Sequence, residues 1–170
     1  MPRDRTIAVA YHEVGHLVMM VANGFTVTEI SLESAEDRLG GVRWGGNIPE
    51  PTPEQRMRRV LVHVAGVVAD TIHLEKSGQE DEFPGGFMSD LKDAETDLIT
   101  VGDDGKLKAY MEFSMHFFRR QEVWRAVEEI VRVLLMAKTI SHHSAISRIS
   151  EAIPRIDDSE LHALRLSIGR

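Results

Sequence analysis

The 170-residue sequence contains no cysteine. Disulfides, thiolate metal sites, iron–sulfur clusters and cysteine nucleophiles are therefore excluded, and any metal must sit on His, Asp or Glu. Basic charge is in short supply as well: 20 Lys and Arg stand against 27 Asp and Glu, a net charge of −7. That balance argues against general affinity for nucleic acid or anionic membranes. The one basic run, Arg56-Met57-Arg58-Arg59, reads as a solvated helix face rather than a phosphate track. No apolar window approaches the roughly 18 residues of a membrane span, because His12, Glu13 and His16 interrupt the stretch near the start. No membrane insertion is expected, and the cytoplasm is the expected compartment. Repeats, low-complexity tracts and linkers are absent too, and so is the phosphate-binding pattern G-x-x-x-x-G-K-[ST]. Apolar residues at 42% and charged residues at 28% are globular values that exclude wholesale disorder. A single domain over residues 1–170 is expected, with a core over 1–104 and a helical C-terminal part over 105–170.

Local patterns give a mostly α fold with a small β-sheet. Asp4 caps a helix that runs to Ala22 on a broad apolar face and is stopped by Asn23-Gly24. The period then drops to 2 over Phe25 to Leu32, a strand, and a second short strand spans Gly41 to Trp44. Thr52, Pro53 and Gln55 form a capping box ahead of a helix to about Lys76. That helix is apolar around most of its girth, as a central helix is. Ser77 to Gly86 is a loop, and a further helix runs from Ser89-Asp90 to about Val101. Lys106 to Ile140 is helical with a break near Arg119–Gln121. A helix over Ser141 to Ile153 and a last one capped by Asp157-Asp158-Ser159 follow.

The sharpest signal is His12-Glu13-Val14-Gly15-His16, an H-E-x-x-H inside the first helix. Four residues make about one turn, so both imidazoles leave one face and can bind one zinc ion. Glu13 stands beside the metal rather than on it, placed to take a proton from zinc-activated water. With 8 histidines in the chain, chance placement would give the pattern only about 0.03 times. Gly15 inside the motif costs about 1 kcal/mol in a helix interior, which calls for a close approach by another backbone or by the metal site.

A catalytic zinc takes a third protein ligand and keeps an open position. The metzincin extension fails, since Met19 and Ala22 stand where its glycine and third histidine belong. Asp70 and Asp90 are both candidates, and spacing alone does not choose between them. The other histidines carry less: His63 and His73 face different ways on the central helix, and adjacent His142 and His143 read as surface residues. Met19, Met20, Met111, Met115 and Met136 read as adaptable core packing. Phe113, Phe117, Phe118 and Trp124 are enough apolar surface for an internal bundle or a subunit contact. Lys92 and Tyr11 could approach the site without any role that the sequence assigns.

Ala10-Tyr11-His12-Glu13-Val14-Gly15-His16 resembles the A-Y-H-E-A-G-H stretch of the FtsH family of zinc peptidases. Leu39-Gly40-Gly41-Val42 is similar to that family's L-G-G strand, and Val64-Ala65-Gly66-Val67-Val68-Ala69-Asp70 to its L-A-G-R-A-A-E helix. Gly85-Gly86-Phe87-Met88-Ser89-Asp90-Leu91-Lys92-Asp93-Ala94-Glu95-Thr96 resembles its G-A-S-N-D-L-x-x-A-T segment. The resemblance covers nearly the whole chain. It implies an FtsH peptidase-like helical fold with one zinc on His12, His16 and Asp90, Glu13 as general base, and Asp70 orienting a ligand histidine. It also implies that Leu39, Gly40, Gly41 and Val42 form an edge to which a peptide adds as an extra strand. Val67 replaces the family's arginine, Thr71 replaces an acidic residue, and two extra residues separate Asp90 from the loop glycines.

The expected activity is that of a zinc metallopeptidase. Its substrates would be peptides, unfolded segments or proteins delivered by a separate ATPase, since no nucleotide motif is present. Because the family's peptidase domains form rings, homo-oligomer and single chain both stay open. Two alternatives compete: a metal-binding domain that serves as a binding or assembly module without turnover, and a zinc hydrolase of a non-peptide amide.

Overall fold

The first helix, α1 (Arg5–Ala22), starts where the Asp4 carboxylate accepts a hydrogen bond from the Thr6 amide at 2.8 Å, so the expected cap is in place. It ends at Asn23, and Gly24 follows in the left-handed region at φ +85°. A computed structural model describes residues 4–33, 40–45, 50–78 and 88–169 of the chain. After α1 come two strands, β1 (Thr26–Ser31) and β2 (Gly41–Gly45), and the long helix α2 (Pro53–Ser77). The remaining elements are α3 (Met88–Val101), α4 (Leu107–Phe118), α5 (Gln121–Ala137), β3 (Thr139–Ile140), α6 (His143–Ala152) and α7 (Asp158–Ser167). The fold is mostly α with one small antiparallel sheet, as the sequence patterns predict.

Helix α2 is the axis of the molecule. The Thr52–Gln55 capping box is formed in both directions, and Gly78, at φ +62°, closes the far end. Its Val60, Leu61, Val64, Ala65, Val68 and Ala69 are fully buried, because α1, α3 and α4 pack around it. One cluster of buried apolar side chains extends from Ala10 to Ile168, with Phe117, Phe118 and Trp124 inside it. Those aromatic residues are spent on an internal bundle. Met136, by contrast, is 73% exposed and is no part of the core.

Three expectations are corrected. Helical structure ends at Ala137, not Ile140: Lys138 turns the chain at φ +64°, and Thr139–Ile140 pairs with β1 as a third strand. Two residues are too few to display a period, and the Leu134-Leu135-Met136 run keeps helical spacing up to the break. The next helix accordingly starts at His143. The basic run is not a solvated face. Arg56 and Arg59 reach the buried Asp97 of α3 at 2.9 and 3.2 Å, and Arg58 bonds Glu54 at 3.1 Å. The run joins α2 to α3, and a buried carboxylate needs such partners.

The sheet has the order β2-β1-β3. Val27 and Ile30 of β1 point into the core, and they pair with Trp44 and Val42 of β2. β2 is thus an outer strand, and its far edge has no strand partner among the described residues. Leu39 and the loop glycines Gly85 and Gly86 lie outside the described residues.

Candidate metal centre

The two histidines of α1 face α2 across a crossing with no spare room. A methyl group added at Gly15 would stand 2.6 Å from the Ala65 carbonyl oxygen and 2.8 Å from the Ala69 Cβ. Gly15 is therefore required by backbone approach, one of the two reasons its cost in a helix demanded. On the other helix, a Cβ at Gly66 would stand 2.6 Å from both His12 Cε1 and His16 Nε2. The imidazoles lie against bare backbone there, and their rotamers are fixed by packing before any ligand arrives.

Hydrogen bonding completes the orientation. His16 Nδ1 lies 2.8 Å from the Val62 carbonyl oxygen. A carbonyl only accepts, so Nδ1 carries the hydrogen, and a neutral His16 turns a bare Nε2 lone pair outward. That lone pair meets His12 Nε2 at 2.9 Å and Asp90 Oδ2 at 3.5 Å, while His12 Nε2 lies 3.1 Å from the same carboxylate oxygen. Asp90 comes from the first turn of α3, 78 residues away in sequence from His12, where the helix dipole favours an anion. Of the two acidic candidates for a third ligand, it is Asp90 that the fold brings to the histidines.

Three ligand-capable atoms thus converge in a triangle with sides of 2.9, 3.1 and 3.5 Å. Metal bonds of about 2.0–2.2 Å at tetrahedral angles would set such atoms about 3.3–3.6 Å apart. Widening two sides by a few tenths of an ångström reaches that geometry, so the residues fit a zinc-sized divalent ion. The chemistry of the donors fits equally: two imidazole nitrogens and a carboxylate oxygen need either a shared proton or a cation between them.

Electrostatics carry the same message. Burial is the main effect on His12 and lowers its pKa to about 4, so that ring is neutral at physiological pH. Burial also opposes charge on His16, but the Asp90 hydrogen bond and the charges of Asp90 and Glu13 outweigh it and raise its pKa. Burial would raise Asp90 too, yet the hydrogen bonds from His12 and His16 prevail and hold it well below the usual carboxylate range. The cluster therefore sets one carboxylate against two imidazoles, a donor set that a bound cation would complete.

Glu13, partly buried, faces the sheet. A Cβ at Gly40 would come within 3.1 Å of its Cγ, so the entry to β2 passes directly over this side chain. Gly41 and Val42 follow as the first residues of β2, next to that contact. Asp70 is 2% exposed and lies one turn beyond Gly66 on α2. The partner that orients His16 is the Val62 carbonyl, a backbone group on which sequence reading has no purchase, whereas the Gly66 cradle had a signal in a glycine set within an apolar helix. His63 and His73 do face different neighbours: His63 Nε2 lies 3.7 Å from Asp97, and His73 stacks on Tyr11 at 3.8 Å between ring centroids. His142 and His143 are exposed, and so is Lys92.

Among the described residues, His12, His16 and Asp90 are the one group of three His or acidic side chains close enough to share a metal ion. Among the same residues, no helix is long and apolar enough to cross a membrane. No family model matches the chain, and no curated protein matches it.

Proposed function

We propose that this chain is a zinc-dependent metallopeptidase of the FtsH type. The observation that carries the reading is the convergence of His12 Nε2, His16 Nε2 and Asp90 Oδ2 beside Glu13. Zinc, when bound by these three residues, supplies Lewis acidity that activates water and polarises a carbonyl. Glu13 takes the proton from the attacking water and passes it to the leaving amine, a role that suits a carboxylate adjacent to a ligand but not spent on the metal. The open edge of β2 accepts the substrate as an added strand, through main-chain hydrogen bonds that suit any extended peptide. Gly40 brings that edge to Glu13, so the bound peptide lies alongside the proton carrier. Asp70 orients a ligand histidine, in keeping with its burial on α2. Unfolded proteins, on their own or presented by a separate ATPase, are the natural source of such strands.

The test is cleavage of unstructured peptides by zinc-loaded protein, beside Glu13→Gln. Cleavage by the native chain and its loss in Glu13→Gln, with zinc retained, is the expected result. Zinc binding with no cleavage of any peptide would replace the reading with a binding module. Hydrolysis confined to small amides would replace it with a non-peptide hydrolase.

A further inference from the structure

We propose that Trp44, backed by Phe25, selects substrates that carry a large apolar side chain three or four residues from the cleaved bond. The inference rests on the peptidase reading and adds a specificity to its site.

Antiparallel partners share a face of the sheet. Val42 and Trp44 pair with Ile30 and Val27, which are 0% and 4% exposed, so both β2 side chains lie on the helix side of the sheet. Arg43 points to the other face, where Glu29 at 3.3 Å neutralises it. The edge strand is therefore apolar on the side that leads to the metal centre and nearly neutral on the side that faces water.

On the apolar side, Trp44 is 39% exposed although its ring stands edge-on to Phe25, at 5.5 Å between centroids and 88° between planes. Phe25 is itself packed against the core, so the Trp44 ring is braced from behind and open in front. A half-open aromatic surface beside a strand edge that has no strand partner among the described residues suits a side chain of an added strand, since such neighbours sit about 5 Å apart. Gly40 marks the Glu13 end of the same strand. Trp44 is four residues further on, about 13 Å at the rise of an extended chain. A peptide paired with β2 advances at the same rise, which places the side chain it offers to Trp44 three or four residues from the bond at Glu13. Between the two on that face stands Val42, partly buried against the core, whereas Gly41 falls on the Arg43 face.

The test uses zinc-loaded full chain and a peptide series in which Phe, Leu, Ser or Asp occupies each position three or four residues to either side of one cleavable bond. The native chain should favour Phe and Leu about tenfold over Ser and Asp, in kcat/KM, on one side of the bond. Trp44→Ser should erase that preference, and Trp44→Phe should keep it. A preference that survives Trp44→Ser, or none in the native chain, overturns the inference. A second readout separates this failure from failure of the peptidase reading: the fluorescence of Trp44 in Glu13→Gln, corrected with Trp44→Phe for buried Trp124. Saturable change with the Phe peptide but no cleavage by the native chain would keep the apolar contact and discard the enzyme. No change and no cleavage would discard both.

Discussion

The α1–α2 crossing and the β2 edge lie on either side of Glu13, and they treat a methyl group in opposite ways. At Gly15 and Gly66 an added Cβ would overlap backbone or imidazole atoms at 2.6 Å; at Gly41 it would meet nothing within 4 Å. One side of the site is preset and the other left bare. Ligand geometry must be held to a fraction of an ångström, and two helices in backbone contact supply that rigidity. A peptide that binds through its main chain needs only an unencumbered edge. His12 and His16 are correspondingly buried, while β2 is exposed beyond Val42.

Four substitutions or conditions would break or sharpen this contrast. The largest effect belongs to the residue between the two sides: Glu13→Gln should lower peptide turnover by about 10²–10⁴-fold with zinc still bound, measured as kcat beside metal content. Acid comes next. Burial is the leading cause that lowers the pKa of both His12, to about 4, and His63. Between about pH 6.5 and 4 the unfolded chain then holds protons on these residues that the folded chain does not, so stability falls as pH drops through that window. His16, with its raised pKa, acts in the opposite sense: its contribution is complete below about pH 6.5 and fades as pH rises through the folded value. Asp90, depressed, keeps its contribution above about pH 3.8 and loses it only in stronger acid. The His16 contribution does not change in that window, so the chelator-treated chain should lose up to about 3 kcal/mol through His12 between pH 6.5 and 4, with His63 acting in the same direction, read from denaturant unfolding at each pH.

Gly66→Ala follows. Its Cβ forces the imidazoles aside at a cost of about 1–3 kcal/mol, offset in part by the better helix propensity of alanine. Zinc affinity, measured by competition with a chelating dye, should fall at least tenfold while the fold persists by circular dichroism. The smallest effect is Gly41→Ala, expected to change stability by less than about 0.5 kcal/mol, since the added methyl group meets open space. If Gly41→Ala were as damaging as Gly66→Ala, the contrast between the two sides would be wrong.

Much of this was legible because it is local. The Asp4 cap and the Thr52–Gln55 box are read within four residues, and the structure forms both. The His12–His16 pair needs only helical spacing to share a face, and it does so. What the sequence could not supply is long-range or resides in the backbone. Which of Asp70 and Asp90 stands beside the histidines depends on where α3 starts, dozens of residues from α1. The Val62 carbonyl has no side-chain signature. The basic run looked solvated because its partner, Asp97, lies on another helix, and Thr139–Ile140 is a strand only because β1 is there to pair with it.

The most direct measurement is the zinc stoichiometry and affinity of the full chain beside Asp90→Ala and His63→Ala. The triangle of His12, His16 and Asp90 predicts about one zinc per native chain, affinity reduced at least a hundredfold in Asp90→Ala, and little change in His63→Ala. Failure of the native chain to take up zinc on reconstitution, or full binding by Asp90→Ala, would contradict it.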